Sequence, residues 1–235
     1  LTLLFLPFSC IYTDGGGWSQ GITGNGNVRE EVRDIADFDG VLVSSGIDVY
    51  LTQDDHFEVR VEADENLLDV IETRVKGGML EVGTDHYNIR HARSKKVYVT
   101  MPELTRLRIS SAGDCTGETP FRCDDLELGI SSAGDLTLEV EADRIDLEIS
   151  SSGDARLSGK AGSFDVSLSS AGDLHAFDLI AEKVDVSVSS AGDARVHATE
   201  EISMNVSSAG NIYYMGDARV ILSSSSSAGD IIRKD

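Results

Sequence analysis

Seven copies of one short phrase constrain what this chain can become. Ser-Ser-Ala-Gly-Asp, or a close variant, occupies Ser110–Asp114, Ser131–Asp135, Ser150–Asp154, Ser169–Asp173, Ser189–Asp193, Ser207–Asn211 and Ser226–Asp230. A recurrence of 18 to 21 residues has to be explained before any single element. Between copies, apolar and polar residues alternate, as in RIDLEIS, SFDVSLS, KVDVSVS and EISMNVS. That is the period of two expected of strands with one buried face. Small residues (Cys123, Ala142, Ala161, Ala181) mark a second corner in each repeat. No useful length of chain shows a helical period, so the class is all-β.

Two architectures can carry this pattern: a meander of antiparallel hairpins, or a single-stranded parallel β-helix with one coil per repeat. A hairpin turn does not demand the same Ser-Ser-Ala beside it each time. Stacking does, because each coil touches only its neighbours and like residues then meet like. About 20 residues at about 3.3 Å each give a perimeter of roughly 65 Å, which suits a three-sided solenoid with a filled interior. The expectation is therefore a β-helix over 107–235, with irregular N-terminal β coils over 28–106 capping it.

Stacking places Asp114, Asp135, Asp154, Asp173, Asp193, Asn211 and Asp230 in one column. Carboxylates about 4.8 Å apart repel by roughly 1 kcal/mol per pair in bulk water, so something must offset them. The expected solution is a structural turn ladder, each side chain accepting backbone N–H groups within its own corner. A row of calcium ions is the alternative. Calcium-binding Gly-Asp rolls, however, run on a period of about nine residues, half of the one here.

Outward positions form further columns. Asp146, Asp165 and Asp185, with Arg156, His175 and Arg195, are the candidate ligand face. Polysaccharide-processing β-helices use outward carboxylates with bases, so a polysaccharide-acting enzyme is one alternative and a calcium-stabilised scaffold another. The sequence carries no Ser-x-x-Lys or His-Glu-x-x-His motif and singles out no carboxylate pair. The expectation is a non-enzymatic module without catalytic, cofactor or metal residues. Its 41 acidic against 20 basic residues, a net charge of −21, exclude nucleic acid as a partner. An unidentified glycan or protein is the expected ligand.

The first residues, LTLLFLPFSC, read as the remnant of a signal peptide (1–9) before a lipidation candidate, Cys10. A flexible Gly-rich tether would follow over 10–27. These features predict export, with contact to a membrane only through the lipid. Cys115 and Cys123 read as packing residues, and their pairing stays open.

The chain also resembles the putative auto-transporter adhesin head GIN domain family, frequent among Bacteroidetes, from about Phe38 to the C-terminus. The resemblance rests on Gly46-Ile47-Asp48-Val49-Tyr50-Leu51-Thr52-Gln53, on Val61-Glu62-Ala63-Asp64-Glu65-Asn66-Leu67-Leu68 and on the repeats. Asp48 stands where the family commonly has Asn. What it implies is a right-handed β-helix exported to the periplasm or cell surface of a Gram-negative bacterium, often as an outer-membrane-anchored lipoprotein. It brings no catalytic residues.

Overall fold

The computed structural model describes residues 20–84, 87–169, 171–226 and 228–235. The N-terminal part contributes β1 (Gln20–Thr23), β2 (Val28–Arg33), β3 (Gly40–Val43), β4 (Asp48–Gln53), β5 (Glu58–Asp64), β6 (Ile71–Lys76), β7 (Met79–Thr84), β8 (Tyr87–His91) and β9 (Lys95–Met101). The repeats contribute β10 (Arg106–Ile109), β11 (Cys115–Gly117), β12 (Phe121–Ile130), β13 (Leu136–Ile149), β14 (Ala155–Leu168), β15 (Leu174–Val188), β16 (Asp193–Val206), β17 (Asn211–Met215), β18 (Arg219–Ser225) and β19 (Ile231–Arg233). No α-helix occurs among the described residues.

Successive repeats pair in parallel and in register, which establishes the solenoid and removes the meander. Leu136 faces Ala155, Ala155 faces Leu174, Leu174 faces Ala194 and Ala194 faces Ile212. Large and small residues thus alternate up one inner column, and all five are buried. Phe121, Ile145, Phe164, Val184 and Ile202 are buried in the same continuous core. Each such aliphatic or aromatic side chain contributes about 1.5–3 kcal/mol by leaving water.

Two sides of the stack carry the outward columns. The first runs β6–β7–β3–β10–β12 and continues through the later halves of β13 to β16 to β18. The second runs β2–β5–β9–β4–β11 and continues through the early halves of β13 to β16 to β17 and β19. The order in space is not the order in sequence. The coil made by β3 and β4 lies between the β7/β9 coil and the β10/β11 coil, so Gly40 sits beside Arg106. Outside the β7/β9 coil the pairing becomes antiparallel: β6 covers β7, β5 covers β9, and β2 covers β5. This layer closes one pole of the rod.

Local readings of the N-terminal part need adjustment. The tether expected over 10–27 is ordered from Gln20 onward, because β1 pairs with β8 and the Asp64 carboxylate holds the N–H of Gly26 at 2.8 Å. The basic stretch around Arg90 is that partner strand. After Asp64 the chain makes a single 3-10 turn, Glu65–Leu67, followed by β6. Cys10 lies outside the described residues.

Candidate ligand groove and the aspartate ladder

Inside the recurring phrase, Gly is the buried residue while Ala is exposed. A Cβ on Gly172 would overlap the carbonyl oxygen of Gly153, and one on Gly153 would overlap that of Gly134. These glycines have ordinary backbone angles; they are needed because the coil beneath comes too close for a side chain. The serines stay at the surface and tie coils together. The second Ser donates its hydroxyl to the carbonyl of the preceding coil's first Ser: Ser132 to Ser110 at 2.9 Å, Ser151 to Ser131 at 2.8 Å, Ser190 to Ser169 at 2.7 Å.

The Asp column is a ladder between coils. The carboxylate of Asp135 accepts the N–H of Asp154, Asp154 that of Asp173, Asp173 that of Asp193, and Asp193 that of Asn211, at 2.8 to 3.1 Å. Asn211 accepts in turn from Asp230. The bond crosses to the next coil instead of closing within its own corner, because the stacked corner brings the next N–H directly over the carboxylate. At its capped end the column passes through Asp48, whose carboxylate faces Asp114 N–H at 3.4 Å, to Lys96. Arg195 supplies positive charge further along, 3.4 Å from Asp193 and 4.0 Å from Asp173.

The six residues of the candidate ligand face fall on different sides. Arg156, His175 and Arg195 stack beside the ladder on the second side, with Tyr213 beyond. Arg195 lies 5.2 Å from the Tyr213 ring centre and Lys234 lies 4.9 Å from it. Towards the capped end, the same outward column continues to Tyr50 and Tyr98, stacked at 5.1 Å.

Asp146, Asp165 and Asp185 line a groove of about 990 Å³ on the first side. Its depth comes from small outward residues: Gly129, Ser167 and Ser187 take the places where Arg108 and Glu148 project. Above them runs the column Arg106, Glu127, Asp146, Asp165, Asp185. Arg144 holds Asp146 through two bonds of 3.0 Å and reaches Asp165 at 2.8 Å. Among the described residues, no Lys or Arg pairs with Asp185. Burial pushes the Asp165 pKa up, Arg144 pulls it down, and Asp146 and Asp185 add to the upward push; the balance is above the ordinary carboxylate value. Sequence alone does not single out Arg144, because in the alternation of RIDLEIS it reads as one more outward polar residue.

A further group, Asp54, Asp55 and His56, brings potential ligand atoms within 4.8 Å of one another on an exposed turn after β4. No helix among the described residues is long and apolar enough to cross a membrane.

A sequence-family profile described as "Putative auto-transporter adhesin, head GIN domain" matches residues 37–218, in accord with the resemblance read from the sequence. No curated protein matches the chain. Among solved structures, a putative adhesin from Bacteroides fragilis shares 22% identity and superposes with a TM-score of 0.86, covering 91% of this chain and 100% of its own. A putative lipid binding protein from Parabacteroides distasonis shares 23% at a TM-score of 0.78, covering 92% and 100%. A putative adhesin from Parabacteroides merdae shares 20% at 0.74, again covering 92% and 100%. At these identities the likeness establishes the fold.

Proposed function

Because this chain belongs to the putative auto-transporter adhesin, head GIN domain, family, we propose that it is a non-enzymatic adhesion module whose groove on the first side holds an extended glycan. The observation that carries this reading is the groove itself, which crosses successive coils and repeats its polar groups at the coil spacing. Carboxylates, guanidinium groups and serine hydroxyls at intervals of about 4.8 Å offer a hydroxyl-rich polymer matching donors and acceptors along its length. The carboxylates and Arg144 in this lining disfavour an acyl chain, which would strand those groups without partners. The shared guanidinium of Arg144 fits a positioning role, since it fixes the geometry of Asp146 and Asp165.

The module would be exported and tethered at the outer membrane through an acylated Cys10. The first described strand, β1, lies at the capped pole with β8, so an anchor preceding it leaves the groove free. Mass spectrometry of the membrane-extracted N-terminal peptide checks this: a diacylglyceryl Cys10 is expected, and an unmodified Cys10 inside a longer chain refutes the anchor.

The ligand is tested by exposing the protein to a panel of host and bacterial glycans, scoring retention and cleavage together. Retention that falls at least tenfold in Asp165→Asn and Asp185→Asn supports the groove. Released oligosaccharide would overturn the non-enzymatic reading, and retention of peptides alone would overturn the glycan.

A further inference from the structure

Charge is distributed unevenly along the groove of the first side. Five carboxylates line it, those of Glu127, Asp146, Glu148, Asp165 and Asp185. Against them stand two guanidinium groups, Arg108 and Arg144, so five minus two leaves the lining with three negative charges in excess. Cations are concentrated towards the β10 end. Glu127 takes Arg106 at 2.7 Å, and Arg144 is divided between Asp146 and Asp165. Asp185 ends the acidic column with no cation paired to it among the described residues, and Ser203 takes its place one coil further on. Lys183 stands two residues before Asp185, as Arg144 stands before Asp146. It does not line the groove, and no ion pair joins it to Asp185.

Asp165 and Asp185 are register partners on β14 and β15, with a backbone spacing of about 4.8 Å. Asp185 is among the groups that push the Asp165 pKa up, after burial and against the pull of Arg144, so the two carboxylates act on each other. Ser167 and Ser187, two residues further along the same strands, face the groove beside them. Three kinds of sugar meet this end differently. A uronate or sulfate adds negative charge to a lining that already has an excess. A neutral hydroxyl donates one hydrogen bond and leaves the repulsion in place. An ammonium cancels the repulsion and has three donors, enough for both carboxylates and one serine hydroxyl. Calcium fits less well, because it takes six to eight oxygens and two carboxylates with two hydroxyls fall short of that.

We propose that the ligand of the groove is a glycan with free amino groups, and that Asp165 and Asp185 together seat one of its ammonium groups. The inference rests on the reading of the groove as a glycan site and adds the chemical class. Arg144 is then the group that positions the seat: by engaging Asp146 fully and Asp165 from one side, it leaves the Asp185 side open for the incoming cation.

Calorimetric titration of the full chain with two β-1,4-linked hexasaccharides, one of glucosamine and one of N-acetylglucosamine, tests the seat, since the two share a backbone and differ at the amine. At about pH 6, where the amine is charged, the glucosamine form is expected to bind about tenfold more tightly, the difference between a charge-assisted and a neutral hydrogen bond. Asp185→Asn should remove that preference. Asp185 is exposed, so this variant should keep the parent's melting temperature. Lys183→Gln should strengthen binding of the glucosamine form, because it removes a neighbouring cation. If the acetylated form binds as tightly and both are lost in Asp185→Asn, the ammonium seat is overturned while the groove remains a glycan site. A preference for the amine that survives Asp185→Asn would place the seat elsewhere and overturn it too. Binding of neither form also overturns it, because every ring of the glucosamine form carries the charge. An oligolysine peptide that binds more tightly than the glucosamine form would assign the groove to a protein partner and overturn the glycan reading with it.

Discussion

The carboxylate of Asp154 accepts the backbone N–H of Asp173, its counterpart one coil further along the rod, at 3.0 Å. In the same corner, the N–H of Ala155 is taken by the carbonyl of Asp173 at 3.0 Å. Side chain and main chain therefore alternate in carrying the ladder round the turn, where the regular strand pairing is interrupted.

Acceptor capacity, more than charge, is what the corner needs. Asp154→Ala should cost about 1 kcal/mol, because the N–H of Asp173 loses its partner. Asp154→Asn keeps the acceptor, as Asn211 does in the native column, and should stay within about 0.5 kcal/mol of the parent. Urea denaturation separates the two. If the ladder instead held calcium, a chelator would lower the melting temperature and Asp154→Asn would be the more damaging change; no chelator effect is expected.

Gly172→Ala places a methyl group against the carbonyl of Gly153, a backbone atom with no room to yield. A loss of about 1–3 kcal/mol is expected, as for other overpacked sites. Ala191, one residue before the equivalent Gly192, is exposed, and Ala191→Ser should change stability by less than about 0.5 kcal/mol. Paired denaturation curves for the two variants test whether stacking makes the phrase invariant.

The repeat region was legible because a solenoid writes its geometry into the sequence once per coil, and seven copies average out local accident. Inner columns such as Leu128, Leu147, Val166, Val186 and Met204 follow directly from alternation and match the register. The N-terminal part was not legible in the same way. Its coil at Gly40–Gln53 neighbours residues 66 positions later, and no periodic signal announces a partner at that distance. The groove was half visible: the Asp146, Asp165, Asp185 column could be read. Its separation from Arg156, His175 and Arg195 depends on which side of the Ser-Ser-x-Gly-Asp corner each lies, and on Arg144 reaching across from the other corner.

Asp64 is almost fully buried, although in the sequence it stands out only as one residue of the family signature. Burial pushes its pKa up, but N–H groups from Gly26, Ser94 and Arg93 outweigh that and hold the carboxyl below its ordinary value. A depressed folded-state pKa contributes stability that is present above the unfolded value, about 3.9, and is lost as pH falls through the folded value. Asp64→Asn turns one acceptor into a donor against the Gly26 N–H and should cost about 1–3 kcal/mol at pH 7. That deficit should shrink as pH falls from about 4 through the lowered folded value, as the parent also loses its charge. Urea midpoints of both proteins across that range check the sign. A deficit that widened on acidification would refute the account.

Arg144 opposes the upward shift of Asp165. In Arg144→Gln the remaining influences, burial with Asp146 and Asp185, act unopposed, and the Asp165 carboxyl pKa should rise further. Carbon-detected NMR titration of the side-chain carboxyl, parent against variant, measures this. An unchanged or lowered value would mean that the groove ion pair is absent in solution.

The two thiols of the repeat region are separate and free: Cys115 is buried and Cys123 is half-buried. Burial pushes the Cys115 pKa far up, with Asp114 adding to it. Cys123 is pushed up to about 11, first by burial and then by the carboxylates of Asp124, Glu103 and Asp125. Only the thiolate attacks an alkylating reagent, so at pH 8 Cys123 should react on the order of 100-fold more slowly than an unperturbed thiol of pKa about 8.5. Cys115 should react only through unfolding. Timed alkylation followed by peptide mapping distinguishes the sites. Adding about 0.5 M salt should speed Cys123 and leave Cys115 unaffected, because screening weakens the carboxylate contribution at the half-exposed site and does nothing for a thiol that reagent cannot reach. Equal rates at the two positions would show that the coil carrying Cys115 opens as readily as the corner that carries Cys123, which a continuous core stacked from Val97 and Val49 through Leu136 does not allow.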